Sequence, residues 1–316
     1  MEQDAVWIGI DVSKDWLDVA RSDETRVTRV ANDEAGIATL ATDLTPRAPR
    51  LVVVEATGGY ETIVAATLQA AGVPVAVVNP RQVRDFARAS GQRAKTDALD
   101  AQVLAQFAER MQPPARPLPD ATAQELAALL ARRRQLQEMR TAERTRRPTV
   151  PASQQPALAE HLIWLERQLG EIDQTLTRTL RASPLWHDKA VLLRSIPGVG
   201  PVVTATLLGC LPELGTLDRH QAAALVGVAP LNQDSGTRSG PRRIWGGRAP
   251  VRTALYMAVV CGIRRNPIIQ AHYHRLCAQG KPPKVAIVAC MRKLLTIANA
   301  IVRDGVPWSA EGVTHA

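Results

Sequence analysis

The sequence predicts an α/β domain at the N-terminus followed by a largely helical remainder, because three patterns follow one another along the chain. Short apolar runs rich in β-branched residues alternate with helically spaced segments up to residue 111. Four prolines between residues 113 and 119 then interrupt any regular element. Beyond them, apolar residues recur at helical intervals. We therefore predict three segments: 1–115, 116–188 and 189–316.

The first segment alternates predicted strands and helices. In chain order these are a strand–turn–strand over residues 6–20, a strand at 26–30, a helix at 35–44, a buried strand at 51–54, a helix at 61–71, a buried strand at 73–78 and a long helix from about 96 to 111. The β-branched runs Leu51–Val54 and Val73–Val78 are typical of strands covered on both faces. This pattern predicts a sheet with helices packed on it.

The middle segment predicts a helical hairpin. Residues 121–147 and 158–180 have helical periodicity, and Pro148 and Pro151 separate them. We expect this hairpin to pack on itself or on a second copy of the chain. From residue 189 the pattern is helical with glycine-rich breaks. The segment around Gly198 and Gly200 resembles a helix-hairpin-helix, in which the backbone approaches a nucleic-acid phosphate.

Charge is distributed unevenly. Between Ser235 and Arg303 there are thirteen Lys and Arg and no Asp or Glu. A folded segment so one-sided predicts a polyanionic partner, and nucleic acid is the obvious one; the alternative is a basic surface that only aids solubility. The N-terminal residues do not resemble a signal peptide, and no apolar run reaches the length of a membrane span, so we expect a cytoplasmic protein with no membrane contact.

Four acidic residues are candidates for a metal site. Asp11 lies in an apolar strand, Glu55 ends another, and Asp97 and Asp100 are three residues apart on a predicted helix. A cation would offset the repulsion between such carboxylates, and oxygen ligands of this kind select magnesium or manganese. The structural alternatives are a turn at Asp11, a cap at Glu55, and an N-cap or first-turn acid at Asp97.

The order of these carboxylates resembles the RuvC-like branch of the RNase H fold. The segments Ile-Gly-Ile-Asp-Val-Ser-Lys (8–14), Glu-Ala-Thr-Gly-Gly-Tyr (55–60) and Lys-Thr-Asp-Ala-Leu-Asp-Ala (95–101) look like those of the DEDD insertion-sequence transposases, relatives of the Piv-type DNA invertases. Val-Asn-Pro, Ile-Pro-Gly-Val-Gly, Leu-Val-Gly-Val-Ala-Pro and Asp-Ser-Gly extend the resemblance over nearly the whole chain.

The resemblance implies a transposase or site-specific recombinase. It implies a nucleophilic serine that forms a phosphoserine link to DNA; Ser235 matches, with Ser239 as the nearest rival. The family further implies a structured guide RNA, double-stranded donor and target DNA, and a homo-oligomer, dimeric or tetrameric. Phosphate contacts are expected from a group of arginines in the same region: Arg238, Arg242, Arg243, Arg248 and Arg252.

Other interpretations predict different chemistry. A Holliday-junction-type endonuclease would use the four carboxylates without Ser235. A sugar-kinase-like ATPase would need glycine-rich adenosine-binding elements in the C-terminal half, which we do not find. A non-catalytic nucleic-acid-binding protein would bind without cutting. His272, His274 and Cys277 have metal-like spacing but lack a fourth ligand, and the cysteines form no C-x-x-C pair.

Overall fold

The computed structural model describes residues 5–92, 96–115, 121–232, 234–235, 240 and 242–310. The chain divides into two compact units, unit 1 at Met1–Leu118 and unit 2 at Pro119–Ala316. Unit 1 is mixed α/β and unit 2 is mostly helical, as the sequence predicts. The α/β unit is consistent with the RNase H-like fold.

Unit 1 is built on a five-stranded sheet. Its strands are β1 (Trp7–Val12), β2 (Trp16–Arg21), β3 (Thr28–Ala31), β4 (Leu51–Glu55) and β5 (Val75–Val78). They lie in the order β3-β2-β1-β4-β5; β2 is antiparallel to both β1 and β3, whereas β4 is parallel to both β1 and β5. Because β1 is central, it is paired with a strand on each side, and five of its six residues are buried.

Helices cover both faces of this sheet. They are α1 (Glu34–Leu44), α2 (Glu61–Ala70), α3 (Pro80–Ala89) and α4 (Asp97–Met111), with a 3-10 helix at Thr45–Arg47. Ile8 and Ile10 belong to a core with α1 and α2, whereas Trp7 and Val53 belong to a second core with α3 and α4. This alternation assigns the odd-numbered residues of β1 to the face that carries α4.

Helix α3 is absent from the sequence prediction, in which Asn79-Pro80 only ends a strand. In the structure the Asn79 side chain accepts a hydrogen bond from the backbone N–H of Arg81, and Pro80 is the first helical residue. Proline is favoured at that position because its missing N–H would have no partner inside the helix. The same two residues therefore end β5 and begin α3.

Unit 2 contains eight helices and one short hairpin among its described residues. They are α5 (Ala121–Arg146), α6 (Gln155–Ala182), α7 (Pro184–Arg194), α8 (Pro201–Cys210), α9 (Arg219–Val226), β6 (Pro230–Leu231), β7 (Arg243–Ile244), α10 (Ala249–Gly262), α11 (Pro267–Ala278) and α12 (Pro283–Asp304), with 3-10 helices at Arg147–Thr149 and Ala152–Gln154.

The helical hairpin predicted for the middle segment is formed by α5 and α6. Arg133 pairs with Asp173 at 2.6 Å, and Arg144 pairs with Glu166 at 2.7 Å, so the two helices run antiparallel. Leu136, buried between them, packs against α6. The hairpin also shares the main core of unit 2 with the helices that follow it.

Helix α12 is the one described helix that is long and apolar enough to cross a membrane. In the structure it packs against α7, α9, α10 and α11, and 56% of its most apolar stretch is buried inside the protein. Its apolar character is therefore accounted for by its place in the core of unit 2.

Candidate active site

Asp11 and Glu55 lie on neighbouring parallel strands. The register pairs Ile10 of β1 with Val54 of β4, so the next pair along the strands is Asp11 and Glu55. Both residues are half-buried and follow continuous buried runs. By the alternation of strand residues, both are assigned to the face covered by α4. The structure thus brings two of the four predicted carboxylates to one edge of one sheet face.

Helix α4 crosses this face at Gly9. A side chain at Gly9 would overlap the carbonyl oxygen of Ala101 and the backbone nitrogen of Ala105, so only glycine allows the helix to lie this close. Asp100 directly precedes Ala101, and Asp11 lies two residues beyond Gly9. The close approach therefore places Asp11 and Asp100 near one crossing point.

Asp97 is the first residue of α4 rather than its N-cap. The N-cap is Thr96, whose side-chain oxygen accepts a hydrogen bond from the N–H of Leu99 at 3.3 Å. The side chain of Asp97 lies outside the described residues. Among the side chains that are described, no three His, Cys, Asp or Glu form a group able to hold a metal ion. Asp11, Glu55 and Asp100 therefore do not form such a group by themselves, and the complete four-carboxylate site stays a prediction.

Asp18 is an acidic neighbour that the sequence analysis missed. It lies opposite Asp11 in the antiparallel register of β1 and β2, and only 5% of its surface is exposed. Arg29 of β3 donates two hydrogen bonds to its carboxylate, at 2.9 and 2.8 Å. A bidentate pair of this kind compensates a buried charge. Arg29 thereby neutralises the carboxylate nearest to Asp11 across the ladder.

The turn that follows Glu55 is held by Glu61. The carboxylate of Glu61 accepts hydrogen bonds from the backbone N–H groups of Thr57 at 3.0 Å and Gly59 at 2.8 Å. Gly58 and Gly59 have φ angles of 68° and 109°, which side-chain-bearing residues rarely adopt. The Glu-Ala-Thr-Gly-Gly-Tyr segment therefore forms a fixed turn beside Glu55.

Ser235 lies in the connection of the β6–β7 hairpin. Leu231 is paired with Arg243, and Pro230 with Ile244. Ser235 is exposed, and the preceding Asp234 accepts a hydrogen bond from the N–H of Gly240 at 3.1 Å. The sequence did not predict this hairpin, but the structure puts the candidate nucleophile on an exposed loop, as attack on a phosphodiester requires.

The predicted phosphate-contacting arginines fall into three groups. Arg242 and Arg243 are exposed on the hairpin, where they can reach a ligand. Arg238, together with the rival nucleophile Ser239, lies outside the described residues. Arg248 and Arg252 are half-buried, and their guanidinium groups point into the protein.

These two inward arginines join different segments of unit 2. Arg248 donates to the carboxylate of Glu213, with one distance of 2.7 Å, and to the carbonyl of Cys210 at 3.0 Å. Arg252 donates to the carbonyls of Val226 and Gly246. Both side chains thus have a structural role, and a phosphate contact by either one stays a prediction.

Gly198 and Gly200 have different surroundings. Gly198 has a φ of 98°, and a side chain there would lie 2.9 Å from both the Ala258 carbonyl oxygen and the Gly262 Cα of α10. Its close approach is therefore to a helix of the same unit. Gly200 is the N-cap of α8, and nothing lies within 4 Å of where its side chain would begin. Only the Gly200 end is open to a phosphate.

The His272, His274 and Cys277 motif does not form a metal site within the described residues. Burial lowers the pKa of His272, and the positive charges of Arg275 and Lys293 lower it further. One ring nitrogen of His272 lies 3.0 Å from the Arg275 guanidinium. The motif therefore has an ordinary structural explanation on α11.

Comparison with known proteins identifies the family. A family model of the IS110 DEDD transposases matches residues 8–148, and a second, described as transposase of the IS116/IS110/IS902 family, matches residues 190–274. The chain belongs to the IS110 family of DEDD transposases. It is therefore an enzyme that acts on DNA. The two matches include the β1–β4 edge and the Ser235 hairpin.

Full-length relatives agree with this assignment. The pilin gene-inverting protein of Moraxella bovis is 29% identical, over 81% of each chain. An uncharacterized 44.8 kDa protein of the insertion element IS116 from Streptomyces clavuligerus is 24% identical, over 95% of each chain. An uncharacterized 42 kDa protein of IS900 from Mycobacterium paratuberculosis is 26% identical, over 98% of this chain and 99% of that one. A DNA-inverting protein and insertion-element proteins thus fall in one group with this IS110-family chain.

Proposed function

We propose that this IS110-family transposase cuts and rejoins DNA through Ser235, assisted by the carboxylates Asp11, Glu55, Asp97 and Asp100. The observation that supports the proposal is that Asp11 and Glu55 directly follow the register pair Ile10–Val54 on adjacent parallel strands, on the sheet face that carries the helix beginning at Asp97. Family membership and the exposed position of Ser235 support the serine step.

The four carboxylates fit a magnesium ion, or manganese, by their chemistry, since hard oxygen donors favour these cations. Asp11, Glu55, Asp97 and Asp100 would hold it, and the ion would stabilise charge on the phosphate oxygens during displacement. The ion pair between Asp18 and Arg29 contributes by removing one negative charge from beside Asp11.

Ser235 acts by exchange of one phosphoester for another. Its hydroxyl gives up a proton, and the oxygen displaces a deoxyribose oxygen from phosphorus; the displaced oxygen takes a proton and leaves as a strand end. A hydroxyl of another strand then attacks the phosphoserine and frees the serine again. Because one ester bond is made for each one broken, no external energy source is needed. Exposed Arg242 and Arg243 are placed to neutralise the phosphate.

The partners follow from the same assignment. We infer double-stranded donor and target DNA, a structured guide RNA that supplies sequence choice by base pairing, and a cytoplasmic homo-oligomer, dimeric or tetrameric, in which one protomer's carboxylates act with another's serine. The proposed division of labour is a catalytic domain at 1–115, a helical linker at 116–188 and a serine-bearing domain at 189–316. The thirteen basic residues between Ser235 and Arg303 suit a protein that holds several polyanions.

A covalent-trapping experiment tests the mechanism. Full-length protein is incubated with the RNA transcribed from the element's flanks, magnesium, and nicked donor and target DNA that release the cut strand, and denaturing gels then detect the protein–DNA adduct. We expect the adduct with the wild type, none with Ser235→Ala, and none with Asp11→Asn.

Ser239→Ala is the matched control and should form the adduct normally. If Ser235→Ala still formed the adduct and Ser239→Ala did not, the nucleophile would be Ser239. Strand cutting by Ser235→Ala without any adduct would instead support the Holliday-junction-type nuclease, which needs only the carboxylates.

A further inference from the structure

Trp245 is the most exposed large apolar side chain among the described residues, at 72%. It directly follows β7 and therefore stands at the base of the hairpin that carries Ser235. Leaving an indole ring in water forgoes the favourable burial of a large apolar surface, so a ring held outward suggests a ligand that covers it.

The backbone that presents Trp245 is firmly anchored. Gly246 and Gly247 both have positive φ, at 73° and 67°. A side chain at Gly247 would overlap the backbone of Gly227, and one at Gly227 would overlap the carbonyl of Gly246. Arg252 ties the Gly246 carbonyl to that of Val226. The indole ring of Trp245 is therefore exposed on a backbone segment that these contacts hold in place.

The surroundings of Trp245 favour nucleic acid as the ligand. Arg242 and Arg243, three and two residues before it, are exposed and form no ion pair with any described residue. An exposed aromatic ring on a hairpin that also presents two exposed arginines offers stacking for a base and charge for the adjoining phosphates. The same hairpin carries Ser235 in its connection, so a strand bound here would lie along the element that presents the candidate nucleophile.

We propose that Trp245 is a stacking platform for an unpaired nucleobase next to the phosphodiester that is exchanged. The proposal rests on the proposed function, since it takes Ser235 as the reacting residue. The base must be unpaired because both faces of a base inside a duplex are already stacked on their neighbours. Strand exchange supplies such a base when a strand end leaves its old partner. Trp245 is thus a positioning residue for the cut strand.

The test compares two DNA probes in a binding assay without magnesium, so that no chemistry intervenes. One probe is a short fully paired duplex; the other has the same ends and a central unpaired stretch. Trp245→Ala should bind the unpaired probe about ten-fold more weakly, the effect expected for loss of one base–aromatic stack, and bind the paired probe normally. Trp245→Phe should retain most of the affinity because it keeps an aromatic face.

Two further variants complete the design. Leu231→Ala, which removes an exposed apolar side chain from the same hairpin, should leave both affinities unchanged. Arg243→Ala should weaken both probes alike and reduce the salt dependence of binding.

Equal affinity of wild type and Trp245→Ala for the unpaired probe would overturn the proposal. So would equal weakening on both probes, or a shift in oligomeric state measured by light scattering, which would assign Trp245 to a protein contact. Because binding is measured without cleavage, failure of the serine mechanism leaves this result interpretable: the adduct would be lost while the preference for unpaired DNA persisted.

Discussion

At the residue scale, Gly9 shows how one missing side chain shapes the candidate active site. Its Cα is covered by the backbone of Ala101 and Ala105, and Asp11 and Asp100 lie within two residues of that contact. Any side chain at position 9 must push α4 away from β1. Because both partners are backbone atoms, no rotamer change can relieve the overlap.

We expect Gly9→Ala to lower the free energy of unfolding of unit 1 by roughly 2 kcal/mol, since over-packing of a tight core typically costs this much. Adduct formation should fall more steeply than stability, because the carboxylates on the two elements separate. Denaturant unfolding and the trapping assay measure the two effects.

Gly170→Ala in α6 is the matched control. Nothing lies within 4 Å of a side chain there, so the same change should stabilise the helix by roughly 0.5–1 kcal/mol. A Gly9→Ala protein as stable and active as wild type would contradict the close approach of α4 to β1.

At the element scale, helix α9 ends where the Ser235 hairpin begins, and its first turn is held by a capping box. Asp218 accepts hydrogen bonds from the N–H groups of His220 and Gln221, and Gln221 accepts one from the N–H of Asp218. These backbone N–H groups, chiefly that of Gln221, lower the pKa of Asp218 below its ordinary value of 3.8. The stabilisation from this charge is therefore present above pH 3.8 and is lost as the pH falls through the lower folded-state pKa.

We expect Asp218→Ala to lower the melting temperature by a few degrees at pH 7, because an N-cap is lost. The difference from wild type should shrink as the pH falls below 3.8 and through the lower folded-state pKa of Asp218, where the cap becomes protonated. Thermal unfolding followed by circular dichroism from pH 7 to pH 2.5 measures it. A difference that stays constant over this range would rule out the charged cap.

The elements also show what sequence alone could provide. The strands carrying Asp11 and Glu55 were predictable because β-branched runs and turn residues mark them locally. The β6–β7 hairpin was not, because strands of two residues have no measurable period. The ion pair of Asp18 with Arg29 was not predictable because it depends on the register between two strands. The sequence predicted a phosphate contact at Gly198, whereas its actual partner is a helix about sixty residues further along the chain. A local motif carries no information about so distant a contact.

At the scale of the whole molecule, the reactivity of the cysteines measures the folding of unit 2 alone. All four lie in unit 2: Cys210, Cys261, Cys277 and Cys290. Cys261 is exposed, whereas Cys290 is buried in the core, and burial together with the neighbouring Cys277 raises the pKa of Cys290 to about 11. Because the thiolate is the reactive form, the two thiols should differ greatly in reactivity.

We expect a disulfide reagent at pH 8 to modify Cys261 within the first phase and Cys290 only when unit 2 unfolds. Because the pKa of Cys290 is raised, the contribution of its thiol to stability is fully present below the ordinary value of 9.0 and is lost as the pH approaches 11. The free energy of unfolding of unit 2 should therefore fall over that interval. Peptide mapping of the labelled protein identifies the sites. Rapid labelling of Cys290 in the native protein would contradict the core described for α12.

The contact between Gly227 and Gly247 brings the two ends of the intervening segment together. The chain leaves α9 and returns towards α10 at this contact, where Arg252 donates hydrogen bonds to the carbonyls of Val226 and Gly246. Val228, just after the first glycine, is buried in the core of unit 2, but the hairpin residues beyond it are largely exposed, so we expect changes in length or composition there to leave both helices in place. Grafting the intervening residues from a related recombinase onto this junction is therefore a practical route to altered strand preference.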